Sequence, residues 1–220
     1  MRKMLESIKK IKIKEYLKFI IYFASIFVLA VVIDQASKYT AVALLTGKGT
    51  VTIIPNFIDF VLVYNTGAAW GMGGDEIWSR IVLVSISWIV FFFIFGYVIY
   101  AMAKNKKFDP LFGVALALIH GGNFGNLIDR TFFFNRGVID FISIQSWFPN
   151  FGIFNIADSC LVVGLILLIV YFVIDEFKEQ KRQKLKNEEK IKNGESHDTI
   201  NENKADTTSE IVNNEKENGN

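Results

Sequence analysis

Apolar residues are concentrated in four long segments that are separated by polar stretches. Each segment approaches or exceeds the ~20 residues that an α-helix needs to cross the hydrocarbon of a bilayer. A backbone segment exposed to lipid can satisfy its polar groups only as a helix. The pattern therefore predicts four transmembrane helices, over residues 17–33, 81–102, 110–128 and 153–174. Pro110 suits the first turn of the third helix.

Lysine and arginine are distributed unevenly among the connections. They crowd the region before the first helix, the short connection around residues 104–107 and the start of the tail at residues 178–186. The other two connections are longer and carry few. Since cytoplasmic loops hold the excess of Lys and Arg, both termini are expected in the cytoplasm.

The first outer connection carries a shorter pattern of its own. The stretch "TVTIIPNFIDFVLVYN" is rich in Val, Ile, Phe and Thr and is interrupted by Pro55 and Asn56. This composition around a turn is typical of two short strands. The predicted fold class is an all-α membrane protein with four transmembrane helices and a small β-rich extracytoplasmic loop on the membrane surface.

Composition agrees with a membrane protein, because 51% of the 220 residues are hydrophobic and 21 are Phe. Three regions follow: a basic cytoplasmic N-terminus at residues 1–16, a membrane domain at 17–175 and a charged cytoplasmic tail at 176–220. The charged tail is predicted to be disordered, because beyond about Lys190 it is rich in Asn, Glu, Lys and Thr and shows no periodicity.

The first apolar segment has an alternative interpretation as a cleaved signal peptide, because a basic flank precedes it. Its apolar run is longer than that of most signal peptides, and no small-residue cleavage site follows. The polar sequence "DQASK" comes directly after it. A retained membrane anchor is the interpretation that we adopt.

Polar residues gather at the outer ends of the predicted spans. Polar residues that lie at the ends of membrane helices only to reach water are usually Lys and Arg, whereas this group is dominated by Asp and Asn. Charged groups near lipid are costly and usually functional. The clustering predicts a site at the outer interface, formed by Asp34, Lys38, Asn65, Asn126, Asp129, Arg130, Asp140, Asn155 and Asp158.

Helical spacing refines this prediction. Asn155 and Asp158 are three residues apart and share one face of the fourth helix, and Asn126 and Asp129 do the same on the third. The third helix also has small residues at every fourth position, which lets a neighbouring helix approach closely. That stripe consists of Gly113, Ala117, Gly121 and Gly125.

The residue types at the predicted site favour hydrolysis by paired carboxylates. One ionised aspartate takes a proton from water, and a protonated partner polarises the scissile carbonyl. Ser143 and Ser159 lack an obvious basic partner, and His120 and His197 lack the spacing of a zinc site. Neither a metal nor a cofactor is expected.

Five motifs, in order along the chain, closely resemble those of the lipoprotein signal peptidases (signal peptidase II). They are "DQASK", "NTGAAWG", "GGNFGNLIDR", "GVIDFI" and "FNIADS". The resemblance covers roughly residues 17–175. It implies a bacterial inner-membrane aspartic protease with a surface β-cradle, which removes the signal peptide of diacylglyceryl-modified prolipoproteins just before the lipidated cysteine.

The resemblance also implies roles for individual residues. Asp140 and Asp158 correspond to the catalytic pair, and the same motif as Asp158 includes a supporting Asn155. Asn65, with Gly67 in its motif, would contact the substrate backbone. Arg130 would grip the peptide or its lipid-linked segment. The remaining matched positions are supporting residues: Asp34, Lys38, Asn126 and Asp129.

Expected partners also follow from the resemblance. They are diacylglyceryl-prolipoprotein substrates and membrane lipids, but no nucleic acid. The protein is expected to be a monomer and to be inhibited by globomycin-type cyclic peptides. Asp129 stays an alternative member of the catalytic pair, although neighbouring Arg130 favours an ion-paired structural role for it.

Two other functions stay open. One is a transporter or channel, which the polar groups at one end disfavour, and the other is a non-catalytic assembly protein that binds lipid-anchored partners.

Overall fold

The computed structural model describes residues 2–67, 76–103 and 109–192. Within them lie four long helices and three strands, in the order α1 (Arg2–Leu45), β1 (Val51–Ile54), β2 (Ile58–Asn65), α2 (Ile77–Ala103), α3 (Pro110–Phe132), β3 (Val138–Ser143) and α4 (Ile156–Lys192). Each helix contains a segment long and apolar enough to cross a membrane. The predicted fold class is confirmed.

Helix α1 is longer than the predicted span. It continues through the polar sequence "DQASK" to Leu45, where the sequence predicted a loop. The polar side chains there do not end the helix because they are buried and paired with other elements. As a result, Asp34 and Lys38 lie one turn apart on the same face of α1 and form an ion pair of 2.8 Å.

Helix α3 begins as its sequence predicts. Asp109 is the N-cap residue, its carboxylate accepts a hydrogen bond from the backbone N–H of Leu111, and Pro110 opens the first turn. Of the four apolar segments, that of α3 is by far the most buried, at 61%. It is therefore the central helix of the part that the structure describes.

The stripe of small residues on α3 packs against α1, as the spacing indicated. A methyl group at Gly121 would lie 2.8 Å from the side chain of Ala30, and one at Gly125 would lie 2.6 Å from a carboxylate oxygen of Asp34. Gly122, outside the stripe, faces α4 at the backbone of Ala157. The three helices thus meet at close range at the end of α3 that carries the polar residues.

The three strands form one antiparallel sheet in the order β1–β2–β3. The turn predicted at Pro55 and Asn56 joins β1 to β2, and Asn56 adopts a left-handed conformation. Strand β3 was not predicted. Its buried residues Ile139 and Phe141 pack on Ala41 and Leu45 of α1, so the sheet is seated on the end of that helix.

The turn before β3 depends on a glycine. Gly137 has a φ of 81°, and a Cβ there would lie 2.5 Å from the carbonyl oxygen of Asn65. A side chain is therefore excluded by both the backbone conformation and the close approach. The glycine lets β3 begin against the end of β2, which brings Asn65 opposite Val138.

Helix α4 extends beyond the predicted span to Lys192. The chain divides into one compact unit that ends at Tyr171 and a second that begins at Phe172. The described part of the second unit is helical as far as Lys192, although the sequence predicted disorder from residue 176. Glu, Lys, Gln and Arg dominate there and have high helix propensity. The rest of the predicted disordered tail, 193–220, lies outside the described residues.

We expect Gly122→Ala to destabilise the protein, because its methyl group would press on the α4 backbone, including the N–H of Leu161 at 3.1 Å. Overpacking of this kind costs about 1–3 kcal/mol. Gly96→Ala in α2 is the matched control, because nothing lies within 4 Å of its added methyl group. Thermal unfolding in detergent measures both. Equal melting temperatures for the two variants would contradict the close α3–α4 packing.

Candidate active site

The structure brings the predicted polar residues together at one end of the helices. The second half of α1, the ends of β2 and α3, the strand β3 and the first turn of α4 all contribute to this cluster. Asp34, Lys38, Asn126, Asp129, Asp140 and Asn155 are buried. The hydrogen bonds among them define the site.

Asp158 lies in the first turn of α4, where it forms a reciprocal cap with Asn155. The side-chain oxygen of Asn155 accepts a hydrogen bond from the backbone N–H of Asp158 at 2.9 Å. In return, Oδ2 of Asp158 accepts one from the backbone N–H of Asn155 at 3.1 Å. This is the geometry of a capping box. The helix N-terminus also favours a negative charge at Asp158.

Asp140 lies on β3 and receives two amide donors. Its Oδ1 accepts a hydrogen bond from Nδ2 of Asn155 at 2.6 Å, and its Oδ2 accepts one from Nδ2 of Asn65 at 2.9 Å. The antiparallel register places Val63 of β2 opposite Asp140, so Asn65 is the next residue on the same face of β2. The pairing of β2 with β3 therefore positions this carboxylate.

Asn155 holds both aspartates at once. Its side-chain amide donates to Asp140, while its side-chain oxygen and backbone N–H complete the cap with Asp158. The residue is fully buried, which prevents it from exchanging these bonds for bonds to water. The two carboxylates are thus fixed with respect to each other by a single side chain.

Burial raises the pKa of Asp140 to about 7, and the negative charge of Asp158 adds to this effect. Hydrogen bonds from Asn65 and Asn155 and the charge of Lys38 act in the opposite direction but are weaker. Arg130 of α3 also interacts electrostatically with both aspartates. A carboxyl group with this pKa is partly protonated at neutral pH and can donate a proton.

Lys38 is the centre of the buried charges behind the aspartates. Its ammonium group contacts Oδ2 of Asp34 at 2.8 Å, Oδ2 of Asp129 at 2.9 Å and Oδ1 of Asn126 at 2.9 Å. The side chain is 0% exposed. Asp34 in turn accepts a hydrogen bond from the backbone N–H of Ala157, which ties α1 to the first turn of α4.

Asp129 has different partners from the one that the sequence indicated. Its ion pairs are with Lys38 and with Arg136, at 2.9 and 3.2 Å, whereas the sequence pointed to neighbouring Arg130. Arg130 interacts electrostatically with Asp129 as well, but more strongly with Asp158 and Asp140. Arg136 was missed because its position in the turn before β3 depends on the tertiary fold.

A small pocket adjoins Asn65 and Arg130. Its wall combines two arginines with apolar side chains of α2 and the turn that follows α3, namely Asn65, Thr66, Arg80, Leu83, Val84, Arg130, Phe134 and Gly137. Arg80 was not predicted, and its guanidinium contacts the carbonyl oxygens of Phe134 and Asn135. Gly67 donates its backbone N–H to the side-chain oxygen of Asn65 at 3.0 Å, which orients that amide.

Among the residues that the structure describes, no three His, Cys, Asp or Glu side chains are grouped so that they could hold a metal ion. Hydrogen bonds and ion pairs instead link the polar side chains of the site to one another. Its chemical character is that of two electrostatically coupled carboxylates held by asparagine amides.

The fold and the site together define a multi-pass membrane protein with a buried polar cluster at one end of its helices. Residues 26–174 match the signal peptidase II family (Peptidase_A8). This match covers more than half of the chain and includes every predicted site residue. The protein belongs to the signal peptidase II family, and it is therefore a membrane-bound peptidase.

Solved structures agree with this assignment. One, described as a bacterial membrane enzyme determined by the in meso method at 2.3 Å resolution, shares 32% sequence identity, with a TM-score of 0.58. The match covers 70% of this chain and 88% of that one. A second, with the same description at 1.9 Å resolution, shares 31% identity with a TM-score of 0.56, covering 68% and 91% of the two chains.

We expect Lys38→Met to destabilise the protein strongly, because it leaves Asp34 without its ion pair and Asp129 with Arg136 alone. Removing one partner of a buried ion pair typically costs about 3–5 kcal/mol. Thermal unfolding in detergent tests this expectation.

The matched control is Arg182→Gln, which removes an exposed cation from its pair with Glu179. Such surface pairs contribute about 0–1 kcal/mol. If the two variants melted at the same temperature, Lys38 would not have the central structural role that its contacts indicate.

Proposed function

We propose that this protein is an aspartic endopeptidase that removes signal peptides from diacylglyceryl-modified prolipoproteins and cuts just before the lipidated cysteine. The observation that carries the proposal is the pair of coupled aspartates held by Asn155, with the pKa of Asp140 raised to about 7. Membership of the signal peptidase II family supports the peptide substrate.

The surroundings of the two aspartates favour different roles for them. Both oxygens of Asp158 accept hydrogen bonds, Oδ1 from Nδ2 of Asn126 and Oδ2 from the backbone N–H of Asn155. Asp140 is the buried partner whose protonated form is stabilised. We therefore assign Asp158 as the base that takes a proton from water and Asp140 as the acid that polarises the scissile carbonyl.

In this mechanism, the water oxygen bonds to the carbonyl carbon while its proton passes to Asp158. Asp140 donates its proton to the carbonyl oxygen, and a tetrahedral intermediate forms. When the C–N bond breaks, the proton on Asp158 passes to the leaving nitrogen, and the hydroxyl of the intermediate returns its proton to Asp140. The two carboxyl groups are then back in their starting states.

Burial separates the predicted supporting residues into two groups. Asp34, Lys38 and Asp129 are 0–1% exposed. We therefore assign them a structural role beneath Asp140 and Asp158, without substrate contact. Asn65, Gly67 and Arg130 lie in or beside the lining of the pocket, together with Thr66, which was not predicted, on the side where a peptide backbone could bind. We assign substrate contact to this second group.

Membrane position supports a lipid-linked substrate. The site lies at the end of four apolar helices, where a membrane-anchored peptide presents the bond that follows its own transmembrane segment. The Lys- and Arg-rich regions of the sequence support cytoplasmic termini and an extracytoplasmic site. We further propose that the protein is a monomer in the bacterial inner membrane and is sensitive to globomycin-type cyclic peptides.

We expect Asp140→Asn and Asp158→Asn each to lower cleavage by at least about a thousandfold, because neither amide can exchange the required proton. The assay uses purified protein in detergent with a diacylglyceryl-modified prolipoprotein, scored by gel shift. Asp129→Asn should keep measurable activity, since its contacts are with Lys38 and Arg136.

Asp59→Asn is the matched control for this series. Asp59 lies on β2 and is bonded to Thr52 and Ser146, away from the paired aspartates. Its replacement should leave cleavage unchanged. Full activity of folded Asp140→Asn, together with a dead but folded Asp129→Asn, would contradict the assigned pair.

We expect the cleavage rate to fall as pH rises through about 7, because Asp140 then loses the proton that it must donate. In Asn65→Leu, the donor that favours the ionised form of Asp140 is lost, so the pKa of Asp140 rises and the alkaline limb of the pH–rate profile moves to higher pH. The position of the limb is the readout, since loss of substrate contact lowers only the height of the profile. An alkaline limb that stayed in place would contradict the role of Asp140 as acid.

A further inference from the structure

Three side chains from three helices, Lys38, Asn126 and Asp158, form a chain of hydrogen bonds. Lys38 of α1 donates to Oδ1 of Asn126 on α3 at 2.9 Å. Nδ2 of Asn126 then donates to Oδ1 of Asp158 on α4 at 2.8 Å. The chain runs from a fully buried ammonium group to one of the two aspartates of the site.

The direction of every bond in this chain is set by chemistry. An ammonium group has three donors and no acceptor, so the atom of Asn126 that faces Lys38 must be the carbonyl oxygen. The amide nitrogen of Asn126 must then face Asp158. Asn155 reinforces this orientation, because its own Nδ2 also donates to Oδ1 of Asn126, at 3.1 Å.

The ammonium group of Lys38 also pairs with two carboxylates. Asp34 and Asp129 each form an ion pair with it, and Asp129 is also paired with Arg136. These four groups balance in formal charge. Lys38 therefore has no means of turning away from Asn126 without leaving a buried carboxylate unpaired.

We propose that Lys38 is a positioning residue that fixes the amide orientation of Asn126 and thereby keeps an N–H donor on Asp158. This inference rests on the proposed function, in which Asp158 is the base. With the opposite amide orientation, a carbonyl oxygen would face Asp158 and favour a protonated carboxyl, which cannot take a proton from water. Lys38 thus acts on catalysis through Asn126, without contact with the substrate.

The charged groups around Asp158 are Asp140 from β3, Arg130 from α3 and, through Asn126, Lys38 from α1. Asp34 of α1 faces the same turn of α4 through Ala157. A test of Lys38 must therefore keep the charge of this region constant while it changes only the donor on Asn126.

Two double variants meet that condition. Lys38→Gln with Asp34→Asn removes one charge of each sign and leaves an amide N–H that can donate to Asn126. Lys38→Met with Asp34→Asn makes the same change in charge but provides no donor. In both, Asp129 keeps its pairing with Arg136. The two proteins therefore differ only in the ability of residue 38 to orient Asn126.

The measurement is the pH–rate profile of each double variant with the diacylglyceryl-modified prolipoprotein, together with its thermal unfolding in detergent. We expect the Gln variant to keep the acidic limb of the wild-type profile. In the Met variant the acidic limb should move up by about one pH unit, which is about a tenfold lower rate below the limb. Acidic limbs that coincide in two folded variants would overturn the proposal.

Asn126→Leu keeps the proposal testable if the Met variant does not unfold cooperatively. It is close to asparagine in size, adds no charge and presents no N–H donor to Asp158, so its acidic limb should also move to higher pH. A wild-type acidic limb in this variant would overturn the proposal. Failure of the proposed function has a different signature, namely cleavage by folded Asp158→Asn at the wild-type rate.

Discussion

Carboxylates enclosed among apolar helices must be paired with hydrogen-bond donors or cations, and this requirement organises the structure around the site. A buried charge without partners costs several kcal/mol. Asp34, Asp129, Asp140 and Asp158 come from three helices and one strand, and their donors come mostly from elements other than their own. Satisfying these groups therefore determines where α1, α3, α4 and the sheet can lie.

Asparagine is the residue that meets this constraint without neutralising the acids. Asn65, Asn126 and Asn155 each place an amide N–H on a catalytic candidate while their carbonyl oxygens are held by another donor. A cation in direct contact with Asp140 would favour its ionised form. Amide donors hold the carboxyl in place with a weaker effect, so burial still raises the pKa of Asp140 to about 7. Geometry and protonation state are thereby controlled separately.

Close helix packing makes this arrangement possible. Gly121 and Gly125 bring α3 against α1, and Gly122 brings it against α4. Only at such distances can Lys38 of α1 reach Asn126 of α3, and Asn126 reach Asp158 of α4. The small residues that look like ordinary packing positions are therefore a condition for the hydrogen-bond chain at the site.

The sheet contributes through its register. Pairing of β2 with β3 places Asn65 beside Asp140, and the glycine at position 137 allows the strand to start there. The sequence indicated strands only before Asn65. Strand β3 is buried along nearly its whole length and lacks the alternation that marks a half-exposed strand, so it gave no periodic signal.

Sequence patterns alone predicted the four apolar helices, two of the three strands and the set of polar residues from which the site is built. These features follow from local properties, namely hydrophobic length, strand-forming composition and short motifs. The extension of α1 through Asp34 and Lys38 to Leu45 was not predicted, because the polar side chains there are satisfied only by α3 and α4. The helix after residue 175 was not predicted for a different reason. The charged residues there have high helix propensity but are also common in disordered segments.

Tertiary structure alone decided which polar groups bond to which. Asp129 pairs with Lys38 and Arg136 rather than with its neighbour Arg130, and Asn155 joins Asp140 to Asp158. A motif places residues within a few positions of one another along the chain. Hydrogen bonds between helices depend on how each helix is rotated and how closely it packs, which is set at positions such as Gly121 and Gly122 and by the cost of leaving buried polar groups without partners.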